Sequence, residues 1–160
     1  MHGFCCIRAV DNQWGHAMKK WVNSETQKGN TVLIKVNATA GPAFQVITPD
    51  SLFEFLHSAG IWKEGDTVVD LGIGTGAVAR TLSKYGAKIF GVDICKEQIE
   101  QAKLLSECRE NPQWIVAPAE RTDLAAEIAD TVLACQCFIC FDKEKAGWVT
   151  CLYQVPVIIC

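Results

Sequence analysis

The rhythm of hydrophobic and polar positions along this chain changes near Gly65. Before that point the pattern is uneven. Trp14, Ala17, Met18, Trp21 and Val22 recur at helical spacing and predict an amphipathic helix from Asp11 to Thr26, broken by Lys28-Gly29-Asn30. Thr31–Val36 is strand-like but short, and Ala40-Gly41-Pro42 marks a turn. Thr48-Pro49-Asp50 predicts a helix start, with Thr48 as N-cap and Pro49 at the first helical position, where a missing N–H leaves nothing unpaired. Leu52, Phe53, Phe55 and Leu56 give that helix its apolar face before Gly60 ends it.

After Gly65 the pattern is regular. Thr67–Leu71 reads as a buried strand, Gly72–Gly76 as a loop, and Ala77 to Tyr85 as a helix ended by Gly86. Lys88–Val92 is a second strand closing on Asp93, followed by a helix from Lys96 to about Glu110 that Asn111-Pro112 stops. Trp114–Ala117 is a third strand, Leu124–Ile128 a short helix, Asp130–Cys135 a fourth strand and Asp142–Val149 a last helix. Strand and helix alternate four times. That alternation predicts an α/β fold, an open parallel sheet flanked by helices.

Length and charge narrow the classes. At 160 residues the chain suits one domain. No apolar stretch is long enough for a membrane-spanning helix, and Met1–Val10 has no basic segment leading into a long apolar run, so neither membrane nor secretory signal is expected. A net charge of −3 gives no basic footprint, so no nucleic-acid partner is expected either. The expected location is cytoplasmic. The nine cysteines then read as reduced, buried thiols. Cys135, Cys137 and Cys140 have no matching distant Cys/His pair, so no metal site is expected. His16 and His57 are candidates by residue type only, and no catalytic residue announces itself.

The candidate chemistry lies at the carboxyl end of the first regular strand, where open parallel sheets bind ligands. Gly72, Gly74 and Gly76 let the backbone turn sharply and approach a ligand without Cβ atoms in the way. Asp93, at the end of the next strand, has the acceptors for both hydroxyls of a ribose, so loop and acid together point to a nucleoside-containing cofactor. Gly72-x-Gly74-x-x-Ala77 also satisfies the dinucleotide pattern. Asp70 beside the loop would repel a pyrophosphate and suit an ammonium group. The absence of Gly-Lys-Ser/Thr excludes the triphosphate-binding loop.

Val68-Val-Asp-Leu-Gly-Ile-Gly-Thr-Gly76 resembles motif I of the class I S-adenosylmethionine-dependent methyltransferases. Gly91-Val-Asp-Ile94 resembles their acidic motif. Ala119-Glu120 with Leu124, Ala129-Asp-Thr-Val132, and Gln136-Cys-Phe138 with Phe141-Asp142 are similar to later segments of the methyltransferase type 11 branch. The resemblance covers Gly65 to Lys145 and implies a Rossmann-like fold with S-adenosylmethionine as cofactor. It implies that Gly72, Gly74 and Gly76 line the methionine part, with Asp70 near the amino group. It implies further that Asp93 holds the ribose and Ile94 packs on the adenine. Ala119 would offer its N–H to the adenine ring with Glu120 nearby, while Gln136 and Phe138 lie beside the methyl group. Core packing competes for Phe138, and a solvated surface role for Glu120.

Three departures qualify the resemblance. Pro118 stands where many relatives have Asp, and Ile139 and Cys140 replace a His-Trp pair. After the fourth strand, Ala146–Cys160 matches none of the family's remaining strands, so the sheet is expected to lack its last strands and the chain to be truncated. The fourth strand would then be a bare hydrophobic edge. Val155–Cys160 could pair there with Pro156 unpaired, or a homodimer or partner chain could cover it. The expected organisation is an N-terminal helical or lid segment over 1–64, with Trp14 and Trp21 as lid candidates, a cofactor-binding core over 65–145 and an apolar tail over 146–160. The leading function is methyl transfer to a small-molecule acceptor. The alternative is a catalytically silent module that binds cofactor or partner through its open edge, and a nicotinamide-dependent oxidoreductase is the weakest reading.

Overall fold

Thr67-Val-Val-Asp-Leu71 and Thr131-Val-Leu-Ala134 are almost uninterrupted apolar runs, the pattern of strands covered on both faces. The computed structural model places them side by side in the interior of a parallel sheet. The structure describes residues 4–8, 31–35, 39–40, 46–47, 50–106, 111–125, 127–135, 137 and 157–159. The strands are β1 (Phe4–Arg8), β2 (Thr31–Lys35), β3 (Thr39–Ala40), β4 (Val46–Ile47), β5 (Thr67–Leu71), β6 (Lys88–Asp93), β7 (Gln113–Val116), β8 (Thr131–Ala134) and β9 (Val157–Ile159). The helices are α1 (Asp50–Ser58), α2 (Ala77–Ser83) and α3 (Lys96–Leu105).

Seven strands form one sheet in the order β1-β2-β9-β8-β5-β6-β7, every pair parallel, while β3 and β4 form a separate antiparallel pair. From β5 the chain steps outward to β6 and β7, then returns to place β8 on the opposite side of β5. The strand order therefore reverses at β5. At that point the loops on either side diverge and leave a crevice at the strands' carboxyl ends.

Alternation along the strands divides the core. Val68, Ile89 and Leu133 face a cluster with Phe53 and Leu56 of α1, Leu82 of α2, Ile99 of α3 and Trp62. Val69, Leu71, Val92, Val132 and Ala134 face the other way, toward Ala119 and Ala129. Polar ties fix the register of the central strands. Thr67 and Asp130 exchange bonds, the Thr67 N–H donating to Asp130 Oδ2 and the Asp130 N–H to the Thr67 carbonyl, both at 2.8 Å. The buried Thr131 hydroxyl donates to the Ile61 carbonyl at 3.0 Å and anchors the α1–β5 connection on β8.

Two expectations need correction. Leu124–Ile128 is not a helix among the described residues, because Asp123 (φ 56°) and Glu127 (φ 64°) are left-handed. The Thr122 hydroxyl accepts the Leu124 N–H at 3.3 Å, a local turn that competes with helix. Nor is β8 a bare edge: Val132, Leu133 and Ala134 pair with Val157, Ile158 and Ile159, and β2 and β1 follow beyond. The substitute-strand alternative is the one observed, and no second copy or partner is needed to cover β8. Strand β1 has no counterpart in the expected elements. The helices expected over Asp11–Thr26 and Asp142–Val149 lie outside the described residues.

Thr131→Val keeps shape but removes the donor to a buried carbonyl. It is expected to lower stability by about 1–3 kcal/mol, read as a lower urea midpoint with an unchanged slope; an unmoved midpoint would show that the Ile61 carbonyl reaches water.

Candidate functional site

The turn from β5 to α2 is built on three left-handed glycines, Gly72 (φ 65°), Gly74 (φ 55°) and Gly76 (φ 76°). Their surroundings differ. A Cβ on Gly74 would meet nothing within 4 Å, whereas one on Gly76 would lie 2.7 Å from the Trp114 ring. Gly74 thus presents bare backbone to open space, and Gly76 lets α2 close on β7. Gly91 in β6 serves the same packing, since a Cβ there would collide with Ile73.

Asp93 holds this loop to β6. Its Oδ2 accepts the Gly74 N–H and its Oδ1 accepts the Cys95 N–H, each at 2.8 Å. The ladder continues on both sides, with the Ile73 N–H donating to the Val92 carbonyl and the Ala117 N–H to the Asp93 carbonyl, both at 3.0 Å. These ties bring the carboxyl ends of β5, β6 and β7 together around a cleft of about 280 Å3. Gly72, Asp93, Ile94, Ala119 and Glu120, all singled out from sequence, line it together with Val92, Ala117, Pro118 and Cys137. Ile94 is 73 % exposed there, a large apolar side chain standing at the cleft without a protein partner to cover it.

Asp70 precedes the loop and is only 1 % exposed, and its Oδ2 has no hydrogen-bond partner. Burial, reinforced by the charge of Asp93, pushes its carboxyl up to about 8. Gln136 and Phe138 lie outside the described residues. Cys137 was not singled out from sequence as a site residue: its thiol donates to the Leu71 carbonyl at 2.8 Å and fastens the segment after β8 to the end of β5. Only its place beside Gln136 could have suggested it. His57 packs on Tyr85 with ring centroids 4.7 Å apart, beyond the end of α2 farthest from the loop. Among the described residues no His, Cys, Asp and Glu group could hold a metal ion, and no helix is long and apolar enough to cross a membrane. A second depression of about 480 Å3, between Arg80 and Pro112, gathers none of the expected site residues.

Residues 69–155, just over half of the chain, match the family described as methyltransferase domain. The chain belongs to the class I S-adenosylmethionine-dependent methyltransferases. It is 30 % identical over 95 residues to an uncharacterized RNA methyltransferase of Lactococcus lactis, covering 56 % of this chain and 21 % of that protein. It is 33 % identical over 99 residues to the ribosomal protein L11 methyltransferase of Thermotoga neapolitana, covering 59 % and 35 %. A solved structure of a proposed type II methyltransferase from Anaeromyxobacter dehalogenans superposes with a TM-score of 0.57 at 29 % identity, covering 72 % of this chain and 46 % of that one. The chain therefore spans between about a fifth and a half of the length of these relatives.

The state of Asp70 predicts how stability follows pH. A carboxyl whose folded value stands above its ordinary 3.8 favours folding in acid; that contribution is complete below 3.8 and is lost as pH rises through about 8. The melting temperature of the ligand-free protein is thus expected to fall between about pH 5 and pH 8, and Asp70→Asn to flatten the fall. An equal slope in the variant would place the titration elsewhere.

Proposed function

We propose that this methyltransferase domain binds S-adenosylmethionine across the glycine loop and the Asp93 cleft and directs its methyl group to a small-molecule acceptor. The cofactor is S-adenosylmethionine. The observation that carries the site assignment is the meeting of Gly72, Asp93, Ile94, Ala119 and Glu120 on one cleft, with a buried carboxyl just before the glycine loop whose Oδ2 lacks a partner. The cofactor fits this donor set. Each oxygen of the Asp93 carboxylate accepts one N–H and keeps capacity for a ribose hydroxyl. Gly74 leaves its side of the loop open for the methionine part, and an ammonium group would supply the partner that Asp70 Oδ2 lacks.

When bound, the cofactor supplies an activated sulfonium methyl group, so the chain's own task is orientation and exclusion of water. Ile94 would cover one face of the adenine and Ala119 would donate its backbone N–H to the ring edge, with Glu120 close by on the same cleft. Gln136, which lies outside the described residues, keeps the place beside the methyl group that the resemblance implies. Pro118 has no side-chain donor or acceptor for the adenine amino group, so backbone contacts carry that recognition. The small-molecule reading of the acceptor is supported by the net charge of −3, which supplies no basic field for a phosphate backbone. RNA and ribosomal protein, the substrates named for the curated relatives, are the competing acceptors.

Calorimetric titration with S-adenosylmethionine, S-adenosylhomocysteine and NADH tests the reading. One-site binding of both sulfur nucleosides and none of NADH is expected. Ile94→Ala should weaken binding about three- to tenfold while changing stability by less than about 0.5 kcal/mol, because its side chain is exposed in the free protein. Asp93→Ala should abolish binding and also lower the melting temperature, because two N–H groups lose their acceptor. Wild-type affinity in both variants would remove the cleft from the binding site. Transfer of a labelled methyl group to small amines, thiols and alcohols, to RNA or to ribosomal protein then separates the acceptor classes.

A further inference from the structure

Among the described residues Asp70 is the only buried carboxyl. Its in-register neighbours are Gly91 on β6 and Leu133 on β8, neither of which can donate a side-chain hydrogen bond. The titratable groups on the elements packed over this face are engaged elsewhere or exposed. His57 of α1 stacks on Tyr85, Arg80 of α2 donates to the Thr75 carbonyl at 2.6 Å, and the charged residues of α3 are exposed. Asp93 is the group whose charge acts on Asp70, and it has the same sign. An ionised carboxylate so placed would be buried without a counter-charge, which is costly enough that such a group keeps its proton instead.

We propose that Asp70 carries its proton in the ligand-free protein and releases it to solvent when the ammonium group of the methyl donor enters beside the glycine loop. The inference rests on the donor reading given above and adds a proton to its binding reaction. One bond breaks, the O–H of Asp70. The proton passes to water, the electron pair stays on the carboxylate, and the arriving ammonium balances the new charge. A cation at this position reverses the two causes that keep the acid neutral, by supplying both a counter-charge and donors. Donor affinity is then linked to pH: it strengthens as pH rises toward the value of the free acid, until the donor's own ammonium group begins to lose its proton. A phosphate-bearing ligand would behave in the opposite way, because a neutral acid can donate to phosphate and would retain its proton.

Calorimetry with S-adenosylhomocysteine in buffers of different ionisation enthalpy counts the protons exchanged. This ligand has the ammonium group but no sulfonium methyl, so no turnover is involved. Release of most of a proton per site is expected at pH 7, where the ligand's own ammonium group is still protonated. 5′-Methylthioadenosine, which lacks the amino-acid part, should bind without release, and Asp70→Asn should bind S-adenosylhomocysteine without release. The infrared difference between ligand-free wild type and Asp70→Asn should show a protonated carboxyl band at pH 7 that is lost by about pH 9. Binding of S-adenosylhomocysteine without proton exchange, or absence of that band, overturns the inference and leaves the donor reading standing. Failure of S-adenosylhomocysteine to bind at any pH overturns the donor reading and this inference with it.

Discussion

The geometry of the site depends on one carboxylate that bridges two backbone N–H groups. Asp93 receives Gly74 from the glycine loop and Cys95 from the start of α3, so a single side chain at the end of β6 fixes the loop after β5 and the helix after β6. Hydrogen bonds to an ionised acceptor are roughly twice as strong as neutral ones. The Ile73 N–H on the Val92 carbonyl and Arg80 on the Thr75 carbonyl add to the hold of Asp93 on a loop whose glycines lose more conformational freedom on folding than any other residue. The acid that a sequence reader would assign to the ligand is therefore first a structural element, and its capacity for a ribose is what remains after the loop is tied down.

The two acids of the site occupy opposite environments although both stand at strand ends. Asp93 is partly exposed and surrounded by N–H donors, whereas Asp70 is buried, lacks a partner for one oxygen and stands under the field of Asp93. Neither state could come from residue type. Gly91, paired with Asp70, has no side chain and yields its space to Ile73 and Trp114, so the surroundings of Asp70 are apolar on the β6 side. The same substitution of glycine for bulk lets Gly76 sit against the Trp114 ring. Packing behind the loop and electrostatics in front of it thus have a common origin in β6 and β7.

Between Gly65 and Ala117 sequence reasoning located every strand and helix within a few residues, because there local periodicity, glycine stops and the burial demands of a parallel sheet coincide. The same coincidence placed Asp70, the three glycines and Asp93 at the strand ends where the structure has them, whereas Ile94 entered only through the family resemblance. Where signals were local but competed, the reading failed: Leu124–Ile128 has helical composition, yet a hydroxyl-capped turn and two left-handed residues prevail. Where the information is non-local, no periodicity could supply it. That Phe4–Arg8 lies beside Thr31–Lys35, and that strand beside Val157–Ile159, is a pairing between distant segments. Cys137 was hidden for the same reason, its partner being a carbonyl 66 residues earlier.

The sheet order shows why the two sides of the site differ in legibility. The strands β5, β6 and β7 are consecutive in sequence and adjacent in space, so the candidate donor-binding residues lie at or just after their own strand ends. On the other side β8 is followed by β9, β2 and β1, strands drawn from both extremes of the chain. Any surface built there combines residues far apart in sequence, brought together by backbone pairing from Val132–Ala134 outward. In the proposed function, acceptor choice would belong to tertiary assembly, and donor binding to the local geometry of two strand ends and a glycine loop.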